Sequence, residues 1–280
     1  MKLFQTKPFR GLIPTLCLLT LALAACQSNK RDTDDGSTGD TAASSPSGRH
    51  LHDQDTTSLE EVNDAEYNPT IDPANFATAI DNPYLTLTPG RAWIYEGKNE
   101  DGETERVEIA VTSDKKMILG VGTTVVRERE WVEGELVEDT FDWFAQDKDG
   151  NVWYFGEDSR EIDKGKVVST KGSWEAGVNS AKPGIVMKAN PHPGDAYRQE
   201  FLKGEAEDMG KVLGTDQSVS IGLGSYQNCL QIQDWTPLEP EVVEHKFYHR
   251  KIGNLILEKK VAGEAGQMEL IEMRNEHEVE

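Results

Sequence analysis

Cysteine is nearly absent from this 280-residue chain: three occur, and two of them, Cys17 and Cys26, fall within the first 26 residues. Beyond that N-terminal segment Cys229 is the one cysteine left. Intramolecular disulfides are therefore excluded there, and a packed core must hold the fold. Several signatures of chemistry are missing too. There is no Gly-x-Ser-x-Gly elbow, no His-Glu-x-x-His and no cysteine pair for zinc, and the six histidines are scattered at 50, 52, 192, 245, 249 and 277. Positive charge is in short supply, with 29 Lys+Arg against 50 Asp+Glu for a net charge of −21. Removing the three N-terminal cations Lys2, Lys7 and Arg10 takes this to −24, a surface that repels nucleic acid and excludes it as a partner. Long apolar runs are also lacking. The longest, from Gly11 to Leu23, is too short for a spanning helix, which needs about 20 apolar residues.

What is present at the N-terminus is an ordered set of signals. A cationic start is followed by the apolar run and then by small residues, the layout of an export signal over residues 1–25. Leu23-Ala24-Ala25-Cys26 resembles the lipobox of bacterial lipoproteins at each of its four positions. That resemblance implies cleavage before Cys26, diacylation of its sulfur, and a membrane held through acyl chains at the N-terminus. Two or more chains anchor stably where a single one does not. By the same resemblance, Gln27 in place of a retention aspartate implies the outer membrane, facing the periplasm, in a host with two membranes.

Residues 26–66 form a polar linker rich in Ser, Thr, Asp and Gly, which cannot bury enough surface to offset its ordering entropy. As a flexible coil of about 40 residues it would hold the rest of the chain on the order of 35 Å from the bilayer. Residues 67–261 are expected to be a β-rich globular domain, and 262–280 an acidic tail or a last strand. The lead-in from 67 to 90 carries Phe76, Ile80, Tyr84 and Leu85, with one helical turn expected at Pro73–Ile80.

From Arg91 onward strands alternate with turns. Arg106–Thr112 places Val107, Ile109 and Val111 on one face, Asp114-Lys115-Lys116 reads as a turn, and Met117–Val132 as one long strand. Glu133-Gly134 turns into Leu136–Gln146, and Asp149-Gly150 tightens into Val152–Gly156, a strong hairpin signal. Gly165–Gly194 reads as irregular. Strands resume at Ala196–Leu202, Ala206–Leu213, Val219–Ile221, Tyr226–Asp234, Val242–Tyr248 and Ile252–Val261. No segment shows helical periodicity over three turns, so the expected fold is an antiparallel meander curling into an open barrel or sandwich.

Glu138–Glu157 (EDTFDWFAQDKDGNVWYFGE) resembles a segment of a family of uncharacterised bacterial exported lipoproteins. So do the runs beginning at Gly172, Ala181, Gly194, Gly204 and Glu244, the last reading Glu-His-Lys-Phe-Tyr. The likeness runs from about residue 72 to 260 and implies no activity. A looser likeness of pattern is to the half-barrels of lipoprotein-sorting factors.

The remaining chemistry is weak. His245 and His249 are about 13 Å apart along a strand, too far to share an ion. Asp147-Lys148-Asp149-Gly150-Asn151 reads as a hairpin turn rather than a calcium loop. Gly204–Lys211 misses the phosphate-loop spacing and is acidic. No metal and no cofactor are expected. The candidate ligand-site residues are Asp142, Trp143, Trp153, Arg198 and Glu200, with Arg198 and Asp142 meeting inside a concave sheet. The aromatic residues Trp93, Trp143, Trp153, Tyr154, Phe155, Trp174 and Trp235 would either line a cavity or fill the core. The expected role is a binding or carrier module for an apolar or envelope-derived ligand or a protein partner. The alternatives are an accessory lipoprotein without ligand and an acid–base hydrolase using paired carboxylates.

Overall fold

The computed structural model describes residues 67–99, 101–262 and 266–275. The leader, Cys26, the linker and the last five residues lie outside them. The lead-in contains one turn of 3₁₀ helix, Pro73–Asn75, rather than a turn extending to Ile80. Asp72 caps it by accepting from the Ala74 N–H at 3.0 Å. Two short strands, β1 (Asp81–Asn82) and β2 (Leu85–Thr86), then pair with each other. The Gln146 side-chain oxygen accepts from both Asp81 N and Asn82 N, at 2.9 and 2.8 Å, and so pins the lead-in to the main sheet.

Five strands come next: β3 (Ala92–Lys98), β4 (Thr104–Ile118), β5 (Val121–Val132), β6 (Glu135–Gln146) and β7 (Val152–Asp158). Val107, Ile109 and Val111 share a buried face as their alternation predicts, but Glu105 lies on that face as well. The expected strand Met117–Val132 is corrected. The chain reverses at Leu119-Gly120, with φ of 52° and 81°, and Asp114-Lys115-Lys116 lies within β4. There the register slips between Val111 and Lys115, a bulge that lets the strand continue past its charged residues.

The stretch read as irregular holds strands of its own. β8 (Glu161–Asp163) and β9 (Lys166–Ser169) make a small hairpin, while β10 (Trp174–Glu175) and β11 (Lys182–Met187) both pair with β7. β12 (Ala196–Arg198) and β13 (Glu200–Phe201) come after them. β14 (Met209–Ile221) joins two segments that the sequence separated, through three register shifts against β15 (Gly224–Trp235). β16 (Val243–His249), β17 (Asn254–Ala262) and β18 (Gly266–Arg274) complete the set.

The strands run in the order β12-β14-β15-β16-β17-β18-β3-β4-β5-β6-β7-β11-β13, with every pairing antiparallel. β18 sits between β17 and β3, so the end of the described chain is stitched to its first long strand. The sheet is mainly a meander and is not closed into a barrel. Its two path ends, β12 and β13, are consecutive in the chain and flank the single residue Gln199. Of the seven aromatic side chains, Trp93, Trp143, Tyr154, Phe155 and Trp174 pack in the core, Trp153 is half-buried against it, and Trp235 lies outside that cluster. Trp93, Tyr95, Tyr154 and Phe155 are fully buried, Phe144 stacks on Tyr154 with ring centroids 5.0 Å apart, and Trp174 meets Tyr154 edge-on at 5.3 Å.

Gly184 in β11 sits where that strand crosses the 198–199 backbone. A Cβ there would stand 2.4 Å from the Gln199 carbonyl carbon and 2.6 Å from the Arg198 oxygen. Since backbone cannot swing away, Gly184→Ala is expected to cost about 1–3 kcal/mol, the range of an overpacked interior. Gly222→Ala, where nothing lies within 4 Å, should stay within about 0.5 kcal/mol of the parent. Denaturant unfolding of the two variants checks both.

Candidate functional site

The register of β15, β16 and β17 builds a buried charge cluster. In the run Glu244-His245-Lys246-Phe247-Tyr248 the even positions are buried and the odd ones half-buried. Cross-strand pairing then sets Glu244 opposite Asp234, and Lys246 between Ile232 on one side and Glu258 on the other. Lys246 is 3 % exposed, and its Nζ lies 2.8 Å from Asp234 Oδ2, 3.4 Å from Glu244 Oε2 and 3.7 Å from Glu258 Oε2. Burial alone would push the lysine pKa down. The three carboxylates outweigh it and hold the group charged, well above the ordinary lysine value. Burial pushes Glu244 up to about 7 against the pull of Lys246, and it holds Glu258 well above the carboxylate range, helped by Glu244. The cluster therefore sets one cation beside two acids, Glu244 and Glu258, that burial pushes toward the neutral form.

A recess of ≈ 20 Å³ opens beside it, bounded by Asp208, Trp235, Thr236, Glu239 and Val242 together with Asp234, Glu244 and Lys246 of the cluster. It has room for about one water-sized group. Gln199, between the two path ends of the sheet, donates from Nε2 to Asp234 Oδ1 at 3.1 Å. Gln199 Oε1, Tyr197 Oη and Glu258 Oε2 are buried and make no hydrogen bond among the described residues. Tyr197 lies close enough to Asp234 to feel its charge. Buried polar atoms are rarely left so, and hydrogen-bonding capacity here exceeds what the surrounding side chains use.

The residues singled out from sequence separate into two faces. Asp142 and Glu200 are both buried and both act on Tyr154, together with Glu157. Asp142 accepts from Tyr154 Oη at 2.7 Å, and Glu200 accepts from Trp174 Nε1 at 2.9 Å. Burial raises the Asp142 pKa to about 6, with the tyrosine bond opposing it. Arg198 is buried with its guanidinium over Phe201 at 4.6 Å and Tyr67 at 5.7 Å. Trp143 and Trp153 lie on the other face. Lys116 Nζ sits 3.3 Å over the Trp143 ring, and Trp153 donates to Asp147 Oδ2 at 2.8 Å. One further buried acid on the inner face is Glu130, which burial and then Glu105 raise to about 8.

Other motifs are absorbed by structure. The Asp147 carboxylate is taken up by Asn151 N, Asn151 Nδ2 and Trp153 Nε1, each at 2.8 Å, which makes it a turn brace. His245 Nδ1 meets Gln231 Nε2 at 3.1 Å, and His249 stands edge-on to Tyr226 at 5.0 Å. No group of three metal-ligating residues occurs among the described residues. Cys229 is fully buried, and burial pushes its thiol pKa up. It should resist a thiol reagent in the native protein and react in full only on unfolding. Stoichiometric labelling without denaturant would contradict that.

Sequence reasoning missed Lys246, Asp234, Glu244 and Glu258. In the sequence the run Glu244–Tyr248 stands out only for its resemblance. Its charged alternation is the available signal, but the partners need the register.

No family model and no curated protein matches the chain. Two solved structures are similar. One is described as a "putative exported protein with YmcC-like fold" from Bacteroides fragilis; it is 12% identical, with TM-score 0.41, over 69% of this chain and 99% of that one. The other is a "putative lipoprotein" from Parabacteroides distasonis; it is 9% identical, with TM-score 0.31, over 68% of this chain and 98% of that one. Neither description states an activity.

Proposed function

We propose that this chain is a cell-envelope lipoprotein, held by acyl chains on Cys26, whose β domain is a binding module for a polar envelope-derived ligand. The order of cationic start, apolar run and Leu23-Ala24-Ala25-Cys26 supports the anchor. In a two-membrane host the outer membrane, facing the periplasm, is the expected site. The observation that carries the binding role is Lys246, buried among three carboxylates at the edge of a recess lined also by the acids Asp208, Asp234, Glu239 and Glu244. Buried ionic clusters seldom stabilise more than apolar packing would, and perturbed groups beside a recess favour a functional role. Acidic walls suit hydroxyl or amine donors. A recess of ≈ 20 Å³ admits only the end of a larger molecule, such as a hydroxymethyl or an ammonium.

An apolar ligand fits less well, because the aromatic side chains that would line its cavity are packed against one another. For the hydrolase alternative, the pair Asp142 and Glu200 is engaged by Tyr154 and Trp174. Native mass spectrometry of the detergent-extracted protein tests the binding role. A co-purifying polar molecule that is retained by the parent and lost in Glu244→Gln supports it. A clean apo mass in repeated preparations, with no thermal shift on adding envelope saccharides or polyamines, refutes it.

A further inference from the structure

The β4–β5 hairpin turns through Leu119-Gly120, both in the left-handed region, with φ of 52° and 81°. Bulky residues rarely adopt that conformation, and two-residue turns of this kind favour Asn or Asp before the glycine. The same chain supplies the comparison. Its turns at Glu133-Gly134 and Lys164-Gly165 have nearly the same φ pairs, 48° and 86°, and 51° and 74°, with a charged residue in the leucine's place. Leu119 is thus an apolar side chain in a strained, polar-favouring position, and it is 46% exposed.

It is not alone. Met117, on the same hairpin, is 66% exposed, and Val178, in the neighbouring loop, is 49% exposed. A Cβ on Gly177 would stand 2.6 Å from Leu119 Cδ2, so the leucine lies against that loop. The Lys116–Glu175 ion pair at 2.7 Å ties the two segments together. On its other side the turn meets the lead-in, since a Cβ on Gly120 would stand 3.0 Å from the ring of Pro73, itself exposed. The described chain begins six residues before that proline, at Tyr67, whose hydroxyl donates to the Pro183 oxygen at 2.8 Å and whose own carbonyl accepts from Lys182. The apolar tip therefore touches the lead-in, the segment through which the chain from Cys26 enters the domain.

We propose that Leu119, Met117, Val178 and Pro73 form a membrane-docking surface that rests on the bilayer holding the Cys26 acyl chains. The inference rests on the lipid-anchor reading and deepens it. Four apolar residues bind a bilayer weakly by themselves. The 40 residues between Cys26 and Tyr67 tether the domain to the same bilayer, and a tether raises the effective concentration of weak contacts at the surface it is fixed to. The domain then lies on the membrane with its lead-in side down, rather than swinging free.

The test uses full-length protein carrying Leu119→Cys and an environment-sensitive dye. Cys229 is buried and Cys26 is blocked by its acyl chains, so the label goes to position 119. A Lys164→Cys protein labelled in the same way is the control. Both are reconstituted into phosphatidylethanolamine–phosphatidylglycerol vesicles with brominated acyl chains, and intact mass reports acylation of Cys26. The expected result is a blue shift and quenching of the dye at 119 but not at 164, with labelled and unlabelled proteins unfolding at the same temperature. If the acylated protein floats with vesicles while the dye at 119 stays in water, the docking surface is refuted and the anchor stands. If photo-crosslinking from position 119 in cells captures a protein instead of lipid, the docking proposal is overturned in favour of a protein contact. If Cys26 is unmodified and the protein does not float, anchor and docking fall together.

Discussion

Unfolding midpoints should rise as the pH is lowered from 8 to 5. Most globular proteins lose stability over part of that range or change little, so the direction is diagnostic. Burial raises Glu130 to about 8, Glu244 to about 7 and Asp142 to about 6, each well above its value in an unfolded chain. Between pH 4.5 and 8 the native state consequently binds more protons than the unfolded state does. Stability is then fully present below the unfolded-state values and is lost as pH rises through the folded ones. A tenfold gain in proton affinity on folding is worth about 1.4 kcal/mol, but neighbouring acids titrate together, so the combined change is on the order of a few kcal/mol rather than the sum. A net charge of −21 adds self-repulsion at high pH in the same direction. Thermal unfolding at constant ionic strength across this range measures it, and a midpoint that is flat or falls toward pH 5 would show that these acids ionise freely.

Lys246→Met should cost about 3–5 kcal/mol at pH 8, the penalty for leaving buried carboxylates without their cation. The three acids then keep only Lys260, acting on Glu244 and Glu258, and the Gln199 amide on Asp234, although methionine nearly matches the lysine stem in volume. The deficit should shrink at pH 5, where Glu244, raised to about 7, has taken up its proton. Glu258→Gln serves as the counterpart. It keeps the shape, replaces an acid that burial pushes toward its neutral form, and should cost less than Lys246→Met does. Denaturant unfolding of both variants at the two pH values separates the cases. A Lys246→Met protein as stable as the parent at pH 8 would mean that the carboxylates do not depend on the lysine.

The strand content is legible because alternation is a local property. Val107, Ile109 and Val111 announce a strand face without any knowledge of its neighbours. The turn at Leu119-Gly120 is not legible, since leucine carries no turn signal, and the charged run before it imitates one. β10 and β11 are hidden for a related reason: they are two and six residues long, lie among glycines, and contain Pro183. For the charge cluster, binary patterning points the wrong way. It would turn Val243, His245 and Phe247 inward, whereas Glu244, Lys246 and Tyr248 are the buried set. Only the pairing of β16 with β15 and β17, which brings Asp234 and Glu258 to the lysine, makes that arrangement tolerable. Of the residues chosen from sequence, Asp142 and Glu200 do converge, around a tyrosine, while Trp143 and Trp153 face the other way. Face assignment within β6 and β7 depends on the bulge between Asp142 and Phe144, which no local pattern marks.

Strand β12 covers only Met209–Lys211 of β14, and β16 only Leu230–Trp235 of β15. Beyond those residues the two strands pair, among the described residues, only with each other, so the outer backbone groups of that hairpin are open to a foreign chain. Crowding many copies on one bilayer would bring such edges together. A protein that recognises this domain has there an edge on which to lay an added strand.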